Sequence, residues 1–357
     1  MITISLCMIV KNEENTIERC LQTVMDIVDE IIIVDTGSTD KTKEVVKKFT
    51  DKIFDFEWID DFAAARNYSF SQATMDYIMW LDADDIVLSE DIKRLKLLKE
   101  TLDPSVDTVT MKYNVGFDEY GNSTLTYRRN RLVKRSNNFT WIGFVHEYLA
   151  VYGKSINSDV GITHKKINHS PKRNLEIYRN KLNQGVVFTT RDILYYGNEL
   201  YDHQLYEEAL SYYSKFLDSK LGWVEDNIRV CRKICDYYMS LRKEGEVRKY
   251  AYKTFEFDTP RAEACCRIGF SFLQEKKYTQ AVYWYEVATK LEKPIDSLGF
   301  FDEECWTWLP HLQLCVCFDK LGKPTLANEH NEIARKFRPN DERILYNVNY
   351  FKNLKTE

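Results

Sequence analysis

The hydrophobic period of this chain changes once, near residue 190, and that change restricts its fold more than any other feature. From residue 1 to about 115, short apolar runs alternate with amphipathic segments. Residues 2–10, 30–34 and 77–81 read as strands, and 14–25, 39–49 and 92–102 as helices, the first with Ile17, Cys20, Leu21 and Val24 on one face. Continuous apolar strands separated by helices predict a parallel sheet covered on both faces. Such sheets bind ligands beyond the carboxyl ends of their strands, where strand order reverses. Asp35 and Asp82 both fall at such ends, so one pocket can contain both.

From about residue 191 every segment is helical, and the sequence repeats itself. Tyr196-Gly197, Ala209 and Tyr213 recur as Ile268-Gly269, Ala281 and Tyr285, an offset of 72 residues. That is about two periods of the roughly 34-residue helix-turn-helix repeat. A degenerate copy spans 237–255 and a fourth 312–337. This half resembles tetratricopeptide repeats. The expected division is therefore an α/β domain over 1–190 and an all-α repeat domain over 191–357. Stacked helix pairs form a concave groove, here rich in aromatics (Trp223, Trp284, Trp306, Trp308), suited to acceptor selection or to a homodimer contact.

The apolar run 77–81 releases Asp82, Asp84 and Asp85 within four residues. Carboxylates this close repel unless a cation compensates. Oxygen ligands spaced Asp-Ala-Asp suit Mg2+ or Mn2+, whose coordination substrate phosphates complete. Residues 34–42 form a strand end, a Gly turn and a helix start capped by Ser38 or Thr39, whose amides favour an anion. Asp35 there can accept from a base or ribose. Arg66, after three alanines, suits bidentate phosphate contact. His146-Glu147 sets a titratable pair among aromatics, as a general base requires. His164 follows an apolar strand and can supply a metal nitrogen, a role for which His169 competes.

Taken in order, residues 5–13, 34–42, 61–67, 80–85, 143–149 and His164 resemble inverting family-2 glycosyltransferases of the GT-A fold, over roughly residues 1–185. The resemblance implies a nucleotide diphosphate sugar donor, UDP-linked, with Mn2+ or Mg2+ held by Asp84, Asp82 and His164. It implies donor contacts from Cys7, Val10, Asn12, Glu13, Asp35, Ser38, Arg66, Asp82 and Asp85, with Glu147 as base beside His146. The His146-Glu147 pair followed by His164 is similar to the branch that carries tetratricopeptide repeats and includes peptide and protein glycosyltransferases, among them bacteriocin S-glycosyltransferases. A saccharide or lipid-linked acceptor, and a peptide-binding scaffold with an inactive nucleotide-sugar fold, are the alternatives.

A net charge of -5 argues against a general nucleic-acid or anionic-membrane binder. No run approaches the roughly 20 apolar residues of a membrane span. Residues 1–10 read as a first strand, not a signal peptide. Nine cysteines without a Cys-x-x-Cys pair predict buried reduced thiols and a cytoplasmic location.

Overall fold

A computed structural model describes residues 1–117, 123–165, 172–294 and 301–354. The chain divides into two compact units, Met1–Phe188 and Thr189–Glu357.

The first unit contains β1 (Ile4–Val10), α1 (Ile17–Val24), β2 (Glu30–Asp35), α2 (Thr42–Val46), β3 (Ile53–Asp55), α3 (Phe62–Ser71), β4 (Tyr77–Trp80), β5 (Asp85–Val87) and α4 (Ser89–Thr101). There follow β6 (Thr108–Phe117), β7 (Ser123–Lys134), β8 (Thr140–Ile142), β9 (Tyr148–Ala150), β10 (Ser155–His164) and α5 (Arg173–Asn183). Eight strands form one sheet in the order β3-β2-β1-β4-β7-β6-β10-β5, and β8 pairs with β9 apart from it. The pairings among β3, β2, β1 and β4, and that of β6 with β10, are parallel. β7 runs antiparallel to β4 and β6, and β5 antiparallel to β10. The central sheet is thus mostly parallel, as expected, with an antiparallel half that the apolar runs did not reveal.

Strand alternation sorts the core. Ile4, Leu6, Met8 and Val10 of β1 face one apolar layer with the α1 residues Ile17, Cys20, Leu21 and Val24, while Cys7 faces the opposite layer with Ile32, Ala63 and Trp80. The α1 face is the one read from the sequence. The second predicted helix shrinks to Thr42–Val46 because side chains hold the preceding turn in another shape: Asp35 Oδ1 accepts from the amides of Gly37 (3.0 Å) and Ser38 (2.8 Å), and Asp40 accepts from Thr42 N (2.9 Å). Ser38 and Thr39 are therefore not caps. The amides expected to face an anion are taken by Asp35 itself.

The second unit is helical throughout its described residues: α6 (Thr190–Asp202), α7 (Tyr206–Ser219), α8 (Val224–Ser240), α9 (Glu244–Lys253), α10 (Ala262–Gln274), α11 (Tyr278–Lys290), α12 (Leu309–Lys320), α13 (Pro324–Phe337) and α14 (Glu342–Leu354), with two short 3-10 turns. Consecutive helices pair as α6/α7, α8/α9, α10/α11 and α12/α13, the helix-turn-helix arrangement of tetratricopeptide repeats. Each pair turns at a left-handed residue, Gln204, Arg242, Lys276 and Gly322. One residue later, an amide bonds the carbonyl five residues back in all four, at 2.9 to 3.0 Å. Four residues beyond that amide stands a fully buried Ala209, Val247, Ala281 or Ala327. The Gly–Tyr match also has a packing cause: a Cβ on Gly197 would meet the Tyr213 ring at 2.9 Å, and one on Gly269 the Tyr285 ring at 3.0 Å. All nine cysteines are buried and free. No helix of the described residues is long and apolar enough to cross a membrane.

Candidate active site

Beyond the carboxyl ends of β1, β2 and β4, where the chain order turns from one side of β1 to the other, lies a cleft of about 310 Å3. Of the residues singled out in the sequence, Val10, Glu13, Arg66, Asp82, Asp84, His146, Glu147 and His164 line it. Cys7, Asn12, Asp35, Ser38 and Asp85 do not.

Physical reasons account for those five. Cys7 lies on the far face of β1 and donates to Ser69 O at 3.4 Å, so its side chain belongs to the apolar layer and not to a donor pocket. Asn12 and Ser38 are spent on each other's loops: Asn12 N donates to Ser38 Oγ (2.9 Å), and Asn12 Oδ1 accepts from Thr39 N (2.8 Å). They fix the rim. Asp35 is buried, and while Oδ1 holds the following turn, Oδ2 has no hydrogen-bond partner among the described residues. Asp85 is fully buried against Arg131 (3.0 Å), itself fully buried. It also accepts from Tyr113 Oη (3.0 Å) and from Asp82 N (3.1 Å), which leaves it no face toward a sugar.

The cleft's charges form two groups. In the first, α3 presents Arg66. Asp61 caps this helix by accepting from Ala64 N (2.9 Å), and buried Ala63 and Ala65 let it close onto the sheet. Arg66 Nε donates to Glu147 Oε1 (2.7 Å) and Nη2 to Asp82 Oδ1 (2.8 Å). Its guanidinium lies 4.9 Å from the Trp80 ring and 4.8 Å from that of Trp141. Burial works against the Arg66 charge, but Asp82 and Glu147 outweigh it and hold its pKa above the ordinary value. Burial likewise opposes the Asp82 charge, and Arg66, then Arg131, overcome it and hold the carboxyl well below its usual range. Asp82 is thus an ion-pair partner of Arg66, where a metal or ribose contact was expected. Glu147 follows His146, whose φ of 52° turns the β8–β9 loop into the cleft. Asn67 clamps that hairpin through Trp141 N (2.8 Å) and Trp141 O (3.0 Å). Glu147 Oε2 has no partner among the described residues.

In the second group, Asp84, Asp85 and His164 each bring a ligand atom within 4.8 Å of the others. His164 Nδ1 lies 3.4 Å from Asp84 Oδ1, 3.2 Å from Asp85 Oδ1 and 2.9 Å from Tyr113 Oη. The hydrogen bond to Asp85 raises the His164 pKa, against burial and with help from Asp84. Two carboxylates and an imidazole are a donor set that fits Mn2+ or Mg2+. This set replaces Asp82 of the expected trio by Asp85, because β5 pairs Asp85 opposite His164 on β10. His169 lies outside the described residues. Arg129 also lines the cleft, and the sequence reading missed it within a basic run. The signal was there: alternation along a strand puts Arg129 and Arg131 on one face.

Residues 5–161 match the model of glycosyl transferase family 2. The first unit belongs to that family. Glycosyltransferase SunS of Bacillus subtilis is 27% identical over 230 residues, 61% of this chain and 54% of SunS. A TPR repeat-containing protein of Synechococcus elongatus is 46% identical over 90 residues, 25% of this chain and 22% of that protein. The chain thus spans about half of SunS and less than a quarter of the Synechococcus protein. Among solved structures, glucosyl-3-phosphoglycerate synthase from Mycobacterium tuberculosis in complex with Mn2+ and UDP-glucose overlays with a TM-score of 0.36 at 14% identity, over 53% of this chain and 81% of that one. So loose an overlay carries no functional weight. Within the glycosyl transferase domain, the family match covers both carboxylate groups of the cleft and stops short of His164.

Proposed function

We propose that this chain is a metal-dependent inverting glycosyltransferase that moves a sugar from a UDP-linked donor to a peptide or protein acceptor, with the helical unit recruiting the acceptor. The observation that carries the reading is that Asp84 and His164 line one cleft with Glu147, with Asp85 buried within ligand distance of both, in the family 2 domain. A divalent ion held by Asp84, Asp85 and His164 would offset charge developing on the departing nucleoside diphosphate. The acceptor hydroxyl or thiol attacks the anomeric carbon, the bond from that carbon to the phosphate oxygen breaks, and the acceptor proton passes to Glu147 Oε2. Arg66 fixes the Glu147 carboxylate through Oε1, which leaves Oε2 to receive that proton. Asp35 Oδ2, which has no hydrogen-bond partner among the described residues, is the acceptor we assign to a donor-base N–H, although Asp35 is buried and does not line the cleft. Tetratricopeptide-type pairs stack into extended concave surfaces of the kind that bind partners.

The test incubates the full chain with Mn2+, a panel of labelled nucleotide sugars and cell lysate, and follows label by mass spectrometry. Label on polypeptide, absent with Asp84→Ala, is expected. Label on glycan alone would overturn the acceptor, and neither transfer nor donor hydrolysis under any condition would overturn the reading.

A further inference from the structure

We propose that Arg129, not Arg66, is the cation that meets the leaving diphosphate, and that Arg66 is a positioning residue for Glu147. The proposal rests on the glycosyl-transfer reading above and assigns a further residue to it.

An arginine that receives phosphate oxygens must have N–H groups and charge left over. Arg66 keeps N–H groups on Nη1 but has no charge to spare. Its Nε and Nη2 are bound to Glu147 and Asp82, and both carboxylates together exceed its single charge. Arg131 is fully buried, paired with Asp85 and bonded to Trp80 O at 3.1 Å. Arg129 differs from both. It lines the cleft, is half-buried, and makes no hydrogen bond or close ion pair with a carboxylate among the described residues, its charge reaching Asp82 only at longer range.

Arg129 is nevertheless held in place. Its guanidinium lies 4.9 Å from the Tyr113 ring, 5.5 Å from that of Tyr127 and 5.8 Å from that of Trp80, and Nη2 donates to Tyr127 Oη at 3.3 Å. Aromatic faces orient a guanidinium without neutralising it and strip part of its water, which strengthens a later ion pair. Tyr113 connects this position to the metal set, since its hydroxyl meets His164 Nδ1 at 2.9 Å while its ring carries Arg129. Lys11 and Arg173 also line the cleft, but both are exposed, and among the described residues no aromatic ring lies against Lys11. An ordered cation beside the metal set, with no carboxylate bonded to it among the described residues, is what a departing diphosphate requires.

The experiment titrates inorganic pyrophosphate into the full chain with Mn2+ by calorimetry, at several salt concentrations, and measures donor turnover in parallel. For Arg129→Met we expect pyrophosphate affinity to fall about 10-fold or more, with a shallower salt dependence, and kcat to fall about 100-fold. Arg129→Lys should recover part of both. Melting of each variant is followed alongside, and Arg129→Gln is read in place of Arg129→Met should the latter melt early. Pyrophosphate affinity within twofold of wild type and an unchanged salt slope would overturn the proposal and leave the glycosyl-transfer reading intact. A wild-type chain that binds neither pyrophosphate nor any nucleotide sugar would overturn both.

Discussion

Replacing Arg131 by Met should unfold the glycosyl transferase domain well below the wild-type temperature. Arg131 and Asp85 are both at 0% side-chain exposure and 3.0 Å apart. The guanidinium also lies 3.8 Å from the Trp80 ring. Truncating one member of such a pair strands the other's charge away from water, at a cost of about 3–5 kcal/mol. In a unit running from Met1 to Phe188, each kcal/mol moves the melting temperature by about 2–4 °C. A fall of roughly 6–20 °C follows. Lys93→Met is the control, because its pair with Glu90 is 73% and 70% exposed and should not shift the melt measurably. The double change Arg131→Met with Asp85→Leu should recover much of the loss, since apolar replacement of a whole buried pair is close to neutral. Differential scanning fluorimetry on the four proteins gives the answer. A single Arg131→Met variant melting within 2 °C of wild type would refute the claim that this pair holds the aspartate turn.

Glu147→Gln should bind donor normally and lose about 10²- to 10⁴-fold in transfer to a hydroxyl, read as separate donor affinity and turnover; unaltered turnover removes Glu147 as base. Gly269→Ala sets a methyl 3.0 Å from Tyr285 and should destabilise the helical unit by about 1–3 kcal/mol. Gly245→Ala, with nothing within 4 Å, should instead stabilise it by about 0.5–1 kcal/mol, both measured by urea unfolding. Burial, and then the neighbouring His330, push the His311 pKa down to about 4. A His with a depressed folded pKa supports the fold above its unfolded value near 6.5 and loses that support as pH falls toward 4. The helical unit should therefore melt progressively lower across that window, with a flatter slope in His311→Gln.

Much of this was legible in residues, and the gaps have physical causes. Runs buried on both faces, such as those of β1, β2 and β4, announce themselves as continuous apolar stretches. The antiparallel half did not, because β6 and β7 interleave core residues with Lys112, Asn114, Arg128 and Asn130. Arg131 appeared as one more charge in a basic run, yet it is the largest fully buried side chain of the molecule's described residues. Charge runs betray buried members only when read with period two. Asp82 and Asp85 exchanged their expected surroundings for the same reason, since one strand-end residue turns toward α3 and the other toward β10. In the helical unit the repeat was plain at Gly197 and Gly269, where packing demands it. It was faint in the second and fourth pairs, where Cys235 and Cys315 occupy the equivalent places and pack with smaller partners.

The central claim is that one carboxylate–imidazole cluster holds a divalent ion that in turn holds a nucleoside diphosphate. Calorimetric titration of UDP into the full chain, with Mn2+ and then with excess chelator, tests it most directly beside Asp84→Asn. Binding that needs Mn2+ and weakens at least about 10-fold in Asp84→Asn is predicted. Equal UDP affinity in chelator, or in Asp84→Asn, would contradict the account.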